Sequence, residues 1–303
     1  MAVYDSMFEL VGNTPLVRLN NMGFPDTLHV FAKLELWNPA GSVKDRIGLS
    51  MIKAAEEAGR LAPGGTIISA TAGNTGLGIA FAALKSGYRI IFVVPDKFSE
   101  EKQTLMRSLG AEIVNTKRAG GMLEAREKAE EILSRTPGAI TLEQFTDIAN
   151  PDAHYRGTGP EIYRDLTGGV DIFVAGAGSG GTFSGTVRYL KEKLPNLHAV
   201  LADPEGSIIG GGEHGDYELE GIGGEFIADT MDLSLVDEVV KITDDDAFPT
   251  ARELARREGI FAGSSSGAAV AAVRKIAETR KEGNLVVVLP DRGDRYFSKH
   301  LYE

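Results

Sequence analysis

Lys44 has the residue type and the local setting of a catalytic amine. It follows a turn containing Gly41 and Ser42 and precedes apolar residues at helical spacing, so the sequence predicts that it lies in the first turn of a helix. The N-terminus of a helix carries positive partial charge, which disfavours a cation and favours the neutral, nucleophilic amine. A solvated surface lysine is the alternative interpretation, and the rest of the chain has to decide between the two.

Three further turns share one form, in which a strand, a turn rich in Gly, Ser and Thr, and a helix follow one another. They are residues 71–76, 176–182 and 263–267. Such turns present backbone N–H groups and the positive end of a helix, so each is a candidate anion site. The ordinary alternatives are turn chemistry at 73–74, close strand–helix packing in the second turn, and N-capping by the serines of the third.

The second turn also matches the dinucleotide-binding pattern G-x-G-x-x-G, through Gly176, Gly178 and Gly181. An acidic residue, Asp203, follows on the next predicted strand. It lies slightly farther along the sequence from the glycine pattern than the ribose-binding carboxylate of a dinucleotide site usually does. Against this interpretation, the turn continues with Thr182, whose hydroxyl suits one terminal phosphate, and the first βα unit lacks the pattern. An NAD(P)-binding dehydrogenase therefore stays as the less favoured alternative.

Composition excludes several classes of protein. The chain has 303 residues, 43% of them hydrophobic, and a formal net charge of -11, which disfavours a nucleic-acid partner. Cysteine is absent, so disulfides, thiolate metal sites and a cysteine nucleophile are excluded, and the histidine spacing is not typical of a zinc site. No segment reads as a membrane span or a signal peptide. We therefore expect a soluble, cytoplasmic protein with no metal and no membrane contact.

Strands and helices alternate along the chain at lengths typical of βαβ units. One series runs from a strand at 30–36 to a helix at 121–134, and a second runs from a helix at 151–166 to a strand at 285–289. Residues 204–235 are glycine-rich and irregular, which in a compact enzyme suggests a functional loop. The pattern predicts an α/β fold with parallel sheets in two lobes.

Nine short motifs resemble, in order, those of one known family. They are N-T-P-L-V at 13–17, K-L-E at 33–35, N-P at 38–39, S-V-K-D-R at 42–46, T-A-G-N-T-G at 71–76, L-G-A-E at 109–112, G-S-G-G-T at 178–182, S-S-G-A at 265–268 and P-D at 290–291. Together they cover nearly the whole chain and resemble the cysteine synthase/cystathionine β-synthase family, the O-acetylserine sulfhydrylase-like enzymes of fold type II. The resemblance implies pyridoxal 5′-phosphate as cofactor.

The same resemblance implies an architecture similar to the tryptophan synthase β subunit, with two three-layer parallel-sheet lobes. We expect a smaller, mobile substrate lobe at 40–145 and a larger cofactor-binding lobe formed by 1–39 and 146–303.

The resemblance also implies residue roles. Lys44 is expected to be the Schiff-base lysine, Asn74 to bind the 3′-oxygen of the cofactor, and Ser265 to face the pyridine nitrogen, with Ser266 in its place if the register differs by one. The residues expected to hold the 5′-phosphate are Gly178, Ser179, Gly180, Gly181 and Thr182. The residues expected at the substrate are Thr71, Ala72, Gly73, Asn74, Thr75, Gln144 and Gly221.

The chemistry implied is β-replacement on O-acetylserine through an aminoacrylate. The first hypothesis takes sulfide and gives cysteine, and the alternative takes homocysteine and gives cystathionine, from O-acetylserine or serine. The family usually has a serine where this chain has Ala72, and an alanine there resembles short bacterial enzymes that make cystathionine. The family also implies a homodimer and, without independent support in this sequence, a serine acetyltransferase partner.

Overall fold

The computed structural model describes residues 3–71, 73–96, 99–167 and 169–303. In this part of the chain there are two compact units. The first comprises the N-terminal residues up to Val11 and Lys44–Ala149, and the second comprises Gly12–Val43 and Asn150–Glu303. The chain therefore enters the first unit at Lys44 and leaves it at Ala149. The assignment of residues 40–145 to a mobile substrate lobe stays a prediction.

The bounds of the described elements follow the alternation expected from the sequence. The strands are β1 (Leu16–Arg18), β2 (Leu28–Leu34), β3 (Thr66–Ala70), β4 (Arg89–Pro95), β5 (Glu112–Thr116), β6 (Ile172–Gly176), β7 (His198–Pro204), β8 (Glu238–Ile242) and β9 (Gly283–Leu289). The helices are α1 (Lys44–Glu57), α2 (Asn74–Leu84), α3 (Glu100–Ser108), α4 (Gly121–Ser134), α5 (Ala149–Ala153), α6 (Gly159–Asp165), α7 (Gly181–Lys193), α8 (Asp244–Glu253) and α9 (Ser264–Ala277).

The first unit is built on a parallel sheet in the order β3-β4-β5. Ile68, Ile91 and Val93 of this sheet pack against Ala125 and Ala129 of α4. Because the strands are apolar and lie side by side in parallel, each must be covered by helices, which explains the alternation of strand and helix along this segment.

Two helices of the first unit cross at glycine. A Cβ atom on Gly48 of α1 would overlap the backbone carbonyl of Gly78, and a Cβ atom on Gly78 of α2 would overlap the carbonyl of Lys44. Only glycine permits so close an approach of the two backbones. The first turn of α1 is therefore held directly against α2.

The second unit has a six-stranded sheet in the order β1-β2-β9-β6-β7-β8. β1 is antiparallel to β2 and the other pairs are parallel. Val287 faces a core that includes Val273 of α9, whereas Val286 faces a core that includes Phe183 and Val187 of α7. The sheet is thus buried on both faces, as expected for parallel strands covered by helices.

The predicted α/β fold with parallel sheets is confirmed. The structure differs from the sequence prediction in local detail. The strand expected at 30–36 lies two residues earlier, and the helix expected at 151–166 contains a π-helical turn, His154–Thr158. The antiparallel edge strand β1 was not predicted. None of the helices in the described ranges is long and apolar enough to cross a membrane.

Candidate active site

Lys44 is the first residue of α1, as its sequence context predicted, and is partly buried. Its backbone carbonyl lies against Gly78, one turn after the start of α2 at Asn74. α2 begins on Gly73, which has no side chain with which to cap the helix. The glycine crossing therefore holds the helix start that carries Lys44 in a fixed relation to the helix start that carries Asn74.

The substrate-binding candidates of the first unit are brought together from distant parts of the sequence. The Thr75 hydroxyl donates to Oε1 of Gln144 at 2.8 Å. A Cβ atom on Gly76 would lie 2.8 Å from Cγ2 of Thr71, so that threonine packs against the same turn. Ala72 lies outside the described residues. A helix start with two hydroxyls and an amide beside it has the donors that a carboxylate requires.

In the second unit, residues 177–180 connect β6 to α7. α7 begins on Gly180, whose φ of 80° is in the left-handed region that favours glycine. A Cβ atom on Gly178 would lie 2.8 Å from the carbonyl oxygen of Gly221, and one on Gly181 would overlap Oδ1 of Asn150. The packing thus leaves no space for a side chain at Gly178 or Gly181, and a glycine-rich turn before a helix can present backbone N–H groups to an anion such as a phosphate.

Polar side chains from other parts of the second unit form hydrogen bonds with this turn. Asn150 donates through Nδ2 to the Ser179 hydroxyl at 2.9 Å, and the Thr230 hydroxyl donates to the Ser179 carbonyl. Oγ1 of Thr182 lies 3.2 Å from Nε2 of His154, a fully buried residue of the π-helical turn. The sequence analysis did not find Asn150, His154 or Thr230, because no motif connects them to a turn that they meet only in the folded chain.

The serines of the third turn do not cap α9. The N-cap is Gly263, so the interpretation of these serines as ordinary caps is wrong. The Ser264 hydroxyl instead accepts from the backbone N–H of Glu220 at 3.3 Å, and a Cβ atom on Gly221 would lie 3.9 Å from Oγ of Ser265. Oγ of Ser266 is buried and has no hydrogen-bond partner among the described residues. Ser265 thus lies on the side of Gly221.

A buried carboxylate lies behind the start of α9. The Tyr296 hydroxyl donates to Oδ2 of Asp291, and a Cβ atom on Gly263 would overlap Oδ1 of the same aspartate. Burial, followed by the charge of Asp291, raises the pKa of Tyr296 well above its usual value of 10.0, so the phenol stays neutral and remains a donor.

Asp203, the candidate ribose-binding acid of a dinucleotide site, serves another purpose. The residue is fully buried, and its Oδ2 accepts hydrogen bonds from Nζ of Lys241 at 2.6 Å and from the backbone N–H of Gly210 at 3.0 Å. A carboxylate enclosed in this way does not present itself to a ribose hydroxyl. The structure therefore removes the acidic residue that supported the dehydrogenase interpretation beside its glycine pattern.

The residues present fit pyridoxal phosphate. The glycine-lined start of α7 suits a phosphate, Lys44 is an amine at a helix start, and Ser265 supplies a hydroxyl near Gly221, a residue that packs against Gly178. Within the described ranges no group of three or more histidine, aspartate or glutamate side chains is placed to hold a metal ion.

Comparisons with known proteins agree with this set of donors. Residues 7–291 match the family model described as pyridoxal-phosphate dependent enzyme. The chain is 48% identical over 304 residues to an O-acetylserine dependent cystathionine beta-synthase of Bacillus subtilis, with 100% of this chain and 99% of that protein covered. It is 43% identical over 305 residues to a cysteine synthase of Helicobacter pylori, with 100% of both covered.

Solved structures show the same similarity. A crystal structure of O-acetylserine dependent cystathionine beta-synthase from Helicobacter pylori matches with a TM-score of 0.93 at 42% identity, over 100% of both chains. A hydrogen sulfide-producing enzyme from Fusobacterium nucleatum matches with a TM-score of 0.94 at 40% identity, over 98% of this chain and 99% of that one. The predictions of an enzyme of this kind and of pyridoxal phosphate as its cofactor are confirmed. The chain belongs to the pyridoxal-phosphate dependent enzyme family.

Proposed function

We propose that this protein is a cysteine synthase, which replaces the acetate group of O-acetyl-L-serine by sulfide and releases L-cysteine. The observation that carries the proposal is that the second unit has an uncapped, glycine-rich helix start at 178–182, in a chain that also has Lys44 at a helix start and is 43% identical to a cysteine synthase. An amine and an anion site are the two elements that this cofactor requires.

The cofactor supplies an electron sink for the charge that develops at Cα of the amino acid. We assign its 5′-phosphate to the backbone at 178–181 with Thr182, its 3′-oxygen to Asn74 and its pyridine nitrogen to Ser265. A hydroxyl at the last position does not hold the nitrogen protonated as a carboxylate does. This favours prompt loss of the β-substituent over a long-lived carbanion.

Lys44 has two tasks in the proposed reaction. Its Nζ would hold the cofactor in the resting enzyme, and its amine would become free to act as a base once the substrate is bound. The released neutral amine then takes the α-proton from Cα. Acetate leaves from Cβ, the sulfur nucleophile adds at Cβ, and Lys44 returns the proton to Cα.

The remaining residues orient the substrate. We assign its carboxylate to the start of α2, where Thr75 and Gln144 are hydrogen-bonded and Thr71 packs beside them. We assign its amino group to the backbone near Gly221. With both groups fixed, Cα stays within reach of Lys44, the base. The entropy cost of bringing the base and Cα together is then met when the substrate binds and not during proton transfer.

A second candidate uses L-homocysteine as the nucleophile and releases cystathionine. It is favoured by the Bacillus subtilis relative, which is 48% identical and is named an O-acetylserine dependent cystathionine beta-synthase. Ala72, in place of the serine usual in this loop, supports it from the sequence alone. The two candidates share every residue role given above and differ only in the space required by the nucleophile.

One experiment tests both candidates. The visible spectrum of the pure protein is recorded with pyridoxal phosphate, O-acetylserine is added, and sulfide or homocysteine is then added in parallel samples whose products are identified by mass. We expect a yellow protein whose spectrum changes with O-acetylserine and which forms cysteine from sulfide. A colourless protein contradicts the proposal, and faster formation of cystathionine than of cysteine selects the second candidate.

The substrates are small molecules, as is usual in this family. We further propose that the protein acts in the cytoplasm as a homodimer. In the second unit, Trp37, Phe261 and Phe297 are exposed large apolar side chains, a feature often found at protein interfaces. Sedimentation equilibrium is expected to give twice the mass of the chain, and the mass of a single chain would contradict this part of the proposal.

A further inference from the structure

Asp203 is a fully buried carboxylate that the proposed reaction does not use. Its Oδ2 accepts from Nζ of Lys241 and from the N–H of Gly210, whereas its Oδ1 is buried and finds no hydrogen-bond partner in the described part of the chain. A buried charge with one oxygen unpaired opposes folding unless its interactions are favourable elsewhere. We therefore consider what the hydrogen bonds of Asp203 do for the rest of the unit.

Lys241 connects Asp203 to an irregular segment. The two residues are paired across β7 and β8, and Nζ of Lys241 also donates to the backbone carbonyl of Ser207 at 2.7 Å. One ammonium group thus bridges a buried carboxylate and a main-chain oxygen. Since a charged donor makes stronger hydrogen bonds than a neutral one, this bridge holds the backbone at Ser207 firmly.

Ser207 is also hydrogen-bonded to the segment that contains Gly224. Its side chain is fully buried, and its hydroxyl oxygen accepts the N–H groups of Ile209 at 3.2 Å and Gly224 at 3.1 Å. The N–H of Ile208 donates to the carbonyl of Gly224 at 3.0 Å. The chain at Gly224 is therefore held on both its N–H and its carbonyl by residues 207–208.

Gly224 ends the segment 221–224, which lies against the phosphate-binding turn. The N–H of Gly223 donates to the carbonyl of Ala177 at 2.7 Å, and the carbonyl oxygen of Gly221 packs against Gly178. Hydrogen bonds therefore connect Asp203 through Lys241 and Ser207 to Gly224, three residues after the Gly221 backbone that we assign to the amino group of the substrate.

We propose that Lys241 and Ser207 are positioning residues for the β-replacement reaction. Together with Asp203 they hold the segment 221–224 against the phosphate-binding turn, and so align the backbone beside the substrate amino group. This inference rests on the proposed function. Without the restraint the segment opens more often, and substrate binds only to the fraction of molecules in which it is in place.

The chain contains a matched control for this network. Nζ of Lys191 also bridges a carboxylate and a main-chain carbonyl, Oδ1 of Asp237 at 2.8 Å and the oxygen of Leu235 at 3.0 Å. The two lysines are similarly exposed, at 24% for Lys191 and 29% for Lys241. The carbonyl that Lys191 holds lies just before β8 and outside the segment 221–224. The carboxylates differ, since Asp203 is fully buried and Asp237 is 34% exposed, so Lys241→Met is expected to lower the global stability more than Lys191→Met. The KM and the local exchange at 221–224, rather than unfolding, therefore separate a positioning role from a purely structural one.

The test compares Lys241→Met, Lys241→Arg, Ser207→Ala and Lys191→Met in the full chain. The kcat and KM for O-acetylserine are measured on the enzyme with pyridoxal phosphate, and hydrogen–deuterium exchange of a peptide spanning 219–226 is measured with and without the cofactor. We expect KM to rise about tenfold in Lys241→Met and Ser207→Ala while kcat stays within about twofold. Exchange at 221–224 is expected to be faster, with or without cofactor.

The remaining variants decide the interpretation. Lys241→Arg is expected to restore most of the KM because it keeps the positive charge, and Lys191→Met is expected to leave KM and exchange at the wild-type values. Equal effects of Lys241→Met and Lys191→Met, or an unchanged KM and exchange in both Lys241→Met and Ser207→Ala, would overturn the inference. If the wild type does not turn over O-acetylserine, the proposed function fails, while the exchange data still decide whether Lys241 restrains the segment.

Discussion

Two helices of the second unit begin in opposite ways. α8 begins on Thr243 with a complete capping box, in which its hydroxyl accepts from the N–H of Asp246 at 3.1 Å and the Asp246 carboxylate accepts from the N–H of Thr243 at 3.2 Å. Its first turn carries three aspartates, 244–246. α7 begins on Gly180 and continues with glycine, threonine and phenylalanine, so it has neither a capping side chain nor an acid there.

The difference shows what each helix start does. At α8 the protein itself satisfies the N–H groups and the positive end of the helix, which contributes about 1 kcal/mol to stability. At α7 no side chain caps the helix, so the first N–H groups and the positive end of the helix are available to an anion. α2 and α9 also begin on glycine, and they carry Asn74 and Ser265. The starts of α2, α7 and α9, which the family resemblance assigns to cofactor and substrate, thus lack the capping side chain that stabilises α8.

The largest expected effect concerns the helix start that carries the amine. Lys44→Ala removes both the covalent link to the cofactor and the base, so we expect kcat/KM for O-acetylserine to fall by about 10³-fold or more and the yellow colour of the linked cofactor to be lost. Lys53→Ala in the same helix is the control, because that side chain is 72% exposed and pairs only loosely with Glu57. Retention of colour and rate in Lys44→Ala would contradict the role proposed for Lys44.

The next effect tests the uncapped start directly. Gly180→Ala is expected to lower the free energy of unfolding in two ways. The left-handed φ at this position costs roughly 1–2 kcal/mol for a residue with a Cβ. Overlap of the added Cβ with Met231 costs about 1–3 kcal/mol more. Gly211→Ala is its control, since φ is 82° but no atom of the described residues lies within 4 Å of the added Cβ. Urea unfolding and titration with pyridoxal phosphate should show the larger loss of stability, and weaker cofactor binding, in Gly180→Ala alone. Similar values for the two variants would mean that packing does not shape this turn.

A smaller effect is expected at the capped start. Thr243→Ala removes the acceptor for the N–H of Asp246, which we expect to lower the free energy of unfolding by about 1 kcal/mol without changing the affinity for pyridoxal phosphate. Thr243→Ser keeps the acceptor and should retain most of the stability. If Thr243→Ala weakened cofactor binding, the separation between helix starts that stabilise and helix starts that bind would not hold.

The smallest effect is a pH dependence at the same cap. The hydrogen bond from Lys275, together with bonds from Thr243, holds the pKa of Asp246 below its usual value of 3.8. Because the pKa is lower in the folded state, the ionised carboxylate stabilises the protein above about pH 4, and this contribution is lost as the pH falls through the folded-state pKa. Urea unfolding of the wild type and of Asp246→Asn should show a difference that is constant near neutrality and shrinks in acid. A difference that does not change with pH would mean that the charge of Asp246 is not what stabilises the cap.

Local signals predicted local structure well. The strand at 66–70 and the helix at 121–134 lie where the periodicity placed them, and Ser99 caps α3 by accepting the N–H of Lys102. These features depend on residues within one or two turns of each other, so the sequence contains their full physical cause. The serines at 264–266 show the limit of such signals. They have the composition of a cap, but the helix starts on Gly263, and Ser264 bonds to a distant part of the chain.

Contacts between distant segments could not be predicted in the same way. β2 lies beside β9 although about 250 residues separate them, and Thr75 bonds to a glutamine 69 residues away. Asn150 and His154, which contact Ser179 and Thr182, carry no motif of their own. Such pairs depend on how whole strands and helices pack, which single-sequence periodicity does not contain.

The alternation of strands and helices, the lysine at a helix start, the glycine turns and the family could all be inferred from the amino-acid sequence, because each is carried by residue types within short motifs. Which distant segments contact these turns became clear from the folded chain alone. The tertiary structure placed Gly221 against Gly178, set Ser265 on the side of Gly221, and enclosed Asp203 with Lys241 instead of leaving it to a ribose. The physical reason is that a side chain's role depends on burial and on partners, and both are set by contacts between segments far apart in the chain.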